Sequence, residues 1–215
     1  MAKADLTPLL LHAVVDAADL QLPPSNQVVV PFRHLAAVVT EAPGLTREGA
    51  VDARHVADHR EIVSNLAQQR AVLPAPAGVM VKGREALTAW LELHAVTLAE
   101  ALAFVEGRCA ARVHVTRSPD AASNNRPLDA APVDLDGAAG EVFRVLRRHA
   151  AAVVQLRPSA TATESETTAA FLVERDRWEL FVDAVASERR RDGMLRLRLT
   201  GPWPPYDFVK MQFGG

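Results

Sequence analysis

Apolar and polar positions divide the first forty residues into three short strands. Runs rich in β-branched side chains cover residues 8–15, 27–30 and 34–40, and each run has the length of a strand rather than of a helix. Proline, serine and asparagine at 23–26 and the Pro-Gly pair at 43–44 separate these runs, as expected of turns. The pattern therefore predicts that the chain opens with a sheet.

The following stretches change to a helical period. From Asp52 onward, and again after Gly83, core-facing positions recur every three or four residues, which is typical of amphipathic helices with one buried face. Two further helices are predicted in the second half, one ended by Pro158 and one over 176–191, with short strands at 72–74, 78–81, 109–116, 169–174 and 194–200. The positions that define the four helices are Val56, His59, Val63 and Leu66; Leu87, Leu91, His94, Leu98, Leu102 and Val105, stopped by Gly107; Val142, Leu146, His149 and Val153; and Trp178, Phe181 and Val185.

A change of composition marks a boundary in the middle of the chain. Between Ser118 and Asp136 the residues are mostly Pro, Asn, Ser, Asp and Ala, with hardly any large apolar side chain. We predict an N-terminal α+β domain over 1–117, a linker or loop over 118–135 and a C-terminal α+β domain over 136–215. Both are expected to be small α/β sandwiches, and a ferredoxin-like topology is plausible for each. The strand, helix and strand at the end of the chain predict two parallel strands beside or around a third strand.

The last predicted strand leads into a segment rich in proline and aromatic residues. Its residues are Gly201, Pro202, Trp203, Pro204, Pro205, Tyr206, Asp207, Phe208 and Val209. Prolines fix φ and lack a backbone donor, so we predict that Gly201 to Pro205 leaves the sheet ladder as an extended rod. Trp203, Tyr206 and Phe208 then either cover the core of the C-terminal half or form part of a partner-binding surface.

Composition narrows the class of protein. The 215 residues are 49% hydrophobic and 23% charged with a net charge of −2, which is ordinary for a soluble globular protein and argues against a surface built to neutralise phosphates. Uninterrupted apolar runs fall short of the ~20 residues that cross a bilayer, and no secretory signal is recognisable. We expect a cytoplasmic protein with no membrane and no nucleic acid as partner. Cys109, the single cysteine, excludes an internal disulfide and fits a buried strand better than a nucleophile.

Motifs that carry catalysis are missing from the sequence. It has no Gly-x-Ser-x-Gly elbow and no glycine-rich phosphate loop, so no catalytic residue, cofactor or small-molecule substrate is predicted. His55 and His59 have the i, i+4 spacing of a zinc helix, but Val56 stands where a zincin has its glutamate. A metal-dependent enzyme using His55 and His59 stays an alternative, although a hydrogen-bonded core histidine is the commoner explanation of His59.

Basic side chains concentrate near the end of the chain, at Arg189, Arg190, Arg191, Arg196 and Arg198. A nucleic-acid or regulatory module using this cluster is the second alternative. Acidic residues such as Glu188 and Asp192 are interspersed with the arginines, and no aromatic side chains alternate with them as a stacking platform requires. A solvated helix end, where cations are favoured by the helix dipole, is the commoner explanation.

The terminal segment and three earlier motifs resemble the gas vesicle protein F/L family. The ending from Gly201 to Val209 is the specific motif, and residues 34–39, 57–59 and 72–78 are weaker likenesses in the same order. The resemblance implies two α+β domains, no catalytic activity, and a role at the gas vesicle as a nucleation factor or chaperone for its small apolar shell protein. It implies as partners the major gas vesicle shell protein and other gas vesicle accessory proteins. The candidate motif or partner-binding residues are Gly201, Pro202, Trp203, Pro204, Pro205, Tyr206 and Phe208.

Overall fold

The computed structural model describes residues 7–20, 26–43, 52–118, 134–157, 166–191 and 193–209. Within these ranges the chain forms nine strands and four α-helices, and every strand pair is antiparallel. The predicted α+β class is therefore confirmed. The elements gather into two compact units, the first comprising Met1–Gly107 together with Pro204–Gly215 and the second Arg108–Trp203.

The first unit is built on a five-stranded sheet. Its elements are β1 (Pro8–Asp16), β2 (Gln27–Phe32), β3 (Leu35–Glu41), α1 (Ala53–Gln69), β4 (Val72–Pro74), β5 (Met80–Lys82) and α2 (Gly83–Val105). Strand β3 lies between β2 and β1, and the short strands β4 and β5 both pair with β1. Strand β1 is therefore central, and its side chains have neighbours on both sides.

Both faces of this sheet are buried. Along β3, Leu35, Ala37 and Val39 contribute to the core beneath α2, whereas Ala36 and Val38 contribute to the core beneath α1. All five side chains are fully buried. Because successive strand residues point to opposite faces, a strand that is apolar throughout needs a helix on each side. The first unit is accordingly three-layered rather than ferredoxin-like.

The second unit has a different topology. Its elements are β6 (Arg108–Arg117), α3 (Leu135–Leu146), β7 (Ala152–Leu156), β8 (Glu166–Glu174), α4 (Trp178–Arg191) and β9 (Leu195–Trp203), and its strand order is β7-β8-β6-β9. Strands β8 and β9 both run antiparallel to β6, so they are parallel to each other with β6 between them. This strand order and connectivity are ferredoxin-like, as the sequence predicts for this half.

An aromatic cluster fills the core of the second unit. The ring of Phe171 on β8 lies 5.9 Å from that of Phe143 on α3 and 5.3 Å from that of Phe181 on α4. Phe171 and Phe181 are fully buried. Both helices therefore cover the same face of the sheet.

The division into units differs from the predicted domain boundaries. Strand β6 falls within the predicted N-terminal domain of 1–117, yet it is the strand that joins β8 to β9. At the other end, the chain from Pro204 onward belongs with the first unit, although the sequence predicts one C-terminal domain over 136–215. Most of the predicted linker of 118–135 lies outside the described residues. Long-range strand pairing decides these boundaries, and local composition does not report it.

Two predicted elements also end elsewhere. The pattern predicts a third helix through His149 and Val153, but α3 ends at Leu146, a 3₁₀ turn covers Arg147–His149, and Val153 lies in β7. A β-branched residue suits a strand, and pairing with β8 supplies its backbone hydrogen bonds. Strand β8 begins at Glu166, three residues before the strand predicted over 169–174.

Candidate functional site

The terminal segment leaves the sheet where β9 ends, at Trp203. The prediction that Gly201 to Pro205 leaves the ladder is wrong for its first three residues, because β9 continues to Trp203, which pairs with Ala110. Across this stretch β9 has one residue more than β6, which makes a β-bulge. The bulge accommodates Pro202, whose cis bond to Gly201 lies within it, because an unpaired position needs no backbone donor.

Gly201 is the residue that permits this bulge. Its φ of +132° lies in a region that side-chain-bearing residues rarely adopt. A Cβ at this position would lie 2.8 Å from the carbonyl oxygen of Ala110 and 3.0 Å from the ring of Trp178. Glycine is therefore required both by the backbone conformation and by the close approach of β6.

Beyond β9 the segment packs against the first unit. A single 3₁₀ turn, Tyr206–Phe208, directs Tyr206 to the core beneath α1 and Phe208 to the core beneath α2. Val209, which follows, is 1% exposed in the core beneath α2. Of the predicted site residues, Gly201, Pro202 and Trp203 are exposed, Tyr206 and Phe208 are partly buried, and Pro204 and Pro205 are buried.

A chain of polar contacts links Tyr206 to the interior of the sheet. The hydroxyl of Tyr206 lies 3.2 Å from Nε2 of His59 on α1, and Nδ1 of His59 lies 3.2 Å from Nδ1 of His12 on β1. Nε2 of His12 lies 2.8 Å from Oγ1 of Thr40 on β3. His12 is the position at which β1 shifts register against β3, so a second bulge brings this imidazole beside α1.

The hydrogen bonds of this polar chain are formed by neutral side chains. Burial, aided by the neighbouring His59, lowers the pKa of His12 to about 4. Burial also lowers the pKa of His59, against an opposing hydrogen bond with the Ala75 backbone, and raises the pKa of Tyr206 to about 12. A neutral imidazole has one N–H donor and one acceptor nitrogen, so His12 and His59 can each bridge two neighbours.

His55 takes no part in this chain. Its Nδ1 lies 2.7 Å from Oδ1 of Asp52, the residue that caps α1, at an exposed position. His59 is 3% exposed, and both its ring nitrogens are engaged by His12 and Tyr206. The interpretation of His59 as a hydrogen-bonded core histidine is confirmed. In the described part of the chain, no three His, Cys, Asp or Glu side chains are grouped to hold a metal.

An open cleft of about 600 Å³ lies in the first unit beside α1. His12 and His55 both contribute to its lining, together with Asp52, Asp58 and Glu61. Among the described lining residues four carboxylates stand against one arginine, a balance of charge that disfavours phosphates and other anions. Among the described lining residues, the imidazole of His12 is already engaged by His59 and Thr40.

Cys109 on β6 is a core thiol, as predicted. It is 2% exposed, and its Sγ donates to the carbonyl oxygen of Val173 at 3.7 Å. Burial raises the pKa of the thiol, which disfavours the nucleophilic thiolate.

The arginine cluster is divided between α4 and β9. Arg189 donates from Nη2 to the carbonyl oxygen of Leu197 at 2.6 Å, and Arg198 lies 4.0 Å from the carboxylate of Glu166. Nδ1 of His114 donates to the same carboxylate at 2.6 Å, which holds the pKa of Glu166 below its usual range. Among the described residues that line the pocket of about 470 Å³ around these groups, none is Phe, Tyr or Trp. The described part of the cluster thus offers no aromatic stacking surface of the kind expected of a single-strand nucleic-acid site.

The outer side of α2 is a feature that the helical pattern did not reveal. Leu93 and Val96 are 79% and 72% exposed, and Phe104 is 41% exposed. By length and composition α2 also passes as a candidate membrane span, a property that a core helix shares. The available signal was the scarcity of charge, because Glu92 and Glu100 are the only charged residues between 86 and 105.

Comparison with known proteins identifies the family. The family model described as gas vesicle synthesis protein GvpL/GvpF matches residues 10–210. The chain belongs to this family. No curated protein matches the chain.

Two crystal structures of GvpL/GvpF proteins have a similar fold. GvpF from an Anabaena species is 19% identical with a TM-score of 0.73, and the match covers 95% of this chain and 99% of that one. GvpF from Microcystis aeruginosa is 14% identical with a TM-score of 0.69, covering 95% and 100%. The resemblance noted from the sequence is confirmed, and GvpL/GvpF membership places the chain in gas vesicle formation.

Replacement of Gly201 by alanine is expected to destabilise the protein. The strained φ and the contact with the Ala110 carbonyl should together cost about 1–3 kcal/mol, measurable as a lower Tm. Gly140→Ala is the matched control, since its Cβ meets nothing within 4 Å on the surface of α3 and should leave Tm unchanged or higher. Equal Tm values for the two variants would contradict this account of the bulge.

Stability is expected to fall as the pH is lowered from about 6.5 to about 4, the interval between the ordinary and folded pKa of His12. Between these pH values the unfolded protein binds a proton at His12 that the folded protein does not bind. The contribution of neutral His12 to the free energy of unfolding is therefore complete above pH 6.5 and is lost as the pH falls toward about 4. For His12 alone the loss approaches ~3 kcal/mol at the acid end.

Urea unfolding across this pH range is the measurement. His12→Gln should flatten the dependence, whereas the exposed His34→Gln should not. A wild-type profile that is flat between these pH values would refute the neutral histidine chain.

Proposed function

We propose that this chain is a non-catalytic accessory protein of gas vesicle assembly that binds the small apolar shell protein as a nucleation factor or chaperone. The observation that carries the proposal is the match to the GvpL/GvpF family model over residues 10–210. On this proposal the protein acts in the cytoplasm at the growing gas vesicle, together with other gas vesicle accessory proteins, and uses no cofactor.

The physical task explains why such a binder is needed. A shell that holds gas must present an apolar inner face, so its subunit carries apolar surface before assembly and tends to aggregate. A soluble protein that covers this surface keeps the subunit available for ordered growth. Exposed apolar side chains on a rigid scaffold suit this task better than a polar cavity does.

The chemistry of the described residues supports binding over catalysis. The buried histidines His12 and His59 are engaged with each other, with Thr40 and with Tyr206. Such internal satisfaction makes them structural groups rather than a base or ligand waiting for a substrate. Stoichiometric zinc in the purified protein would count against this assignment.

The terminal segment supports the proposal because one part of it is packed and another part is exposed. Tyr206 and Phe208 pack into the first unit, while Trp203 at the end of β9 is 50% exposed. An amphipathic aromatic side chain held on a rigid strand loses little entropy on binding, which suits it to a partner surface. We propose Gly201, Pro202 and Trp203 as the contacting part of the motif and Pro204, Pro205, Tyr206 and Phe208 as its anchor.

Co-expression with the major shell protein, followed by pull-down at physiological salt, tests the proposal. The wild-type chain should capture the shell subunit. Trp203→Ala should weaken capture roughly tenfold, because interface tryptophans commonly dominate binding energy. Met194→Ala, at a position 47% exposed in the same unit, is the control that should leave capture unchanged. If the wild-type chain recovers no shell subunit while another assembly factor does, the proposed function is wrong.

A further inference from the structure

Helix α2 presents an apolar stripe to solvent along most of its length. At roughly 100° per residue, positions spaced three, four and seven apart share one side of a helix. The inner side carries Leu87, Leu91 and Leu98, which are fully buried against the sheet. The outer side carries a second apolar row, and all of its members are exposed: Ala86, Ala89, Leu93, Val96 and Phe104.

This outer row is more than scattered surface apolarity. Leu93 and Val96 are the two most exposed large apolar side chains in the described part of the chain, and they are neighbours at i, i+3. Glu100 lies on the same side of the helix, between Val96 and Phe104, so the row includes one carboxylate. An exposed apolar row of this kind marks an interaction surface. From residue 86 to residue 104 the row extends about 27 Å at 1.5 Å per residue.

The charged side chains within the row and at its edge are carboxylates. Glu85, Glu92 and Glu100 are exposed on α2, and the helix has one cation, Arg84, which pairs with Glu41 on β3. The stripe therefore combines exposed apolar side chains with three exposed carboxylates.

The carboxylates favour some binding partners of the outer side of α2 over others. Helices that lie on membranes carry lysine and arginine beside their apolar face, and carboxylates at those positions are repelled by anionic lipids. A second copy of this helix would bring further carboxylates toward the first set, which costs energy across a partly dehydrated interface. A helix with basic residues beside its own apolar stripe meets both requirements.

We propose that the outer side of α2 docks an amphipathic helix of a partner protein, about 18 residues long to match the row, with lysine or arginine flanking its apolar stripe. The inference deepens the proposed function and rests on it for the setting in which such a partner is met. A single helix pair buries little area, so the contact is a transient one that suits delivery of a subunit rather than permanent storage.

The first test uses a fluorescently labelled peptide of about 18 residues made of leucine and lysine at amphipathic helical spacing. Anisotropy should show binding to the wild-type chain and a roughly tenfold or larger loss for the double variant Leu93→Ser/Val96→Ser. The control variant is Leu180→Ser, which removes a leucine that is 60% exposed on α4. This variant should bind the peptide as the wild type does. Glu92→Gln/Glu100→Gln should weaken binding and reduce its salt dependence.

Several outcomes would overturn the proposal. Undiminished binding by the Leu93→Ser/Val96→Ser variant, or equal binding of a leucine and glutamate peptide, shows that the stripe or its charge is irrelevant. Flotation of the wild type, but not of the double variant, with phosphatidylcholine vesicles assigns the stripe to a membrane. A dimer in sedimentation that the double variant abolishes assigns it to a second copy.

The shell-protein pull-down separates this inference from the proposed function. Capture that is lost in Leu93→Ser/Val96→Ser and kept in Leu180→Ser supports both. Capture that both variants keep overturns the α2 docking site and leaves the assembly role standing. If the wild type captures no shell subunit, the assembly role fails, and the peptide measurement still decides whether α2 has the proposed binding chemistry.

Discussion

A sheet covered by a helix on each face leaves no water for a polar side chain on its central strand. Strand β1 carries such a side chain at His12, which is 4% exposed. Removing an imidazole from water is costly unless its nitrogens find partners, so the surrounding elements must supply them. Thr40 on β3, His59 on α1 and Tyr206 near the end of the chain do so.

This requirement accounts for the position of the terminal segment. Tyr206 completes the polar chain beneath α1, and Phe208 and Val209 enter the apolar core beneath α2. The segment therefore contributes to both cores of the first unit although it follows the last strand of the second. The Pro-aromatic motif is best understood as a structural closure whose first residues, including Trp203, remain at the surface.

The second unit depends in the same way on a central strand. Strand β6 pairs with β8 on one side and with β9 on the other, and α3 and α4 cover one face through Phe143 and Phe181. On the surface, Arg189 and Arg198 have partners within the fold, and Leu93 and Val96 of α2 are the most exposed large apolar side chains among the described residues. Such a surface supports the proposal that the protein acts by binding another polypeptide, and the family match places it in gas vesicle formation.

The sequence by itself determined the α+β class, the strands and helices with strong periodicity, the buried cysteine and the family, because each of these is written in local spacing or in a specific motif. It did not determine the boundaries of the units, since pairing of Arg108–Arg117 with strands far along the chain carries no local signal. The bulge at Gly201 and the partners of His12 were equally invisible, because both are set by residues that the fold alone brings together. Only the tertiary structure decided which side of α2 faces solvent, since a helix that is apolar nearly all round shows its free face only when the sheet has covered the other.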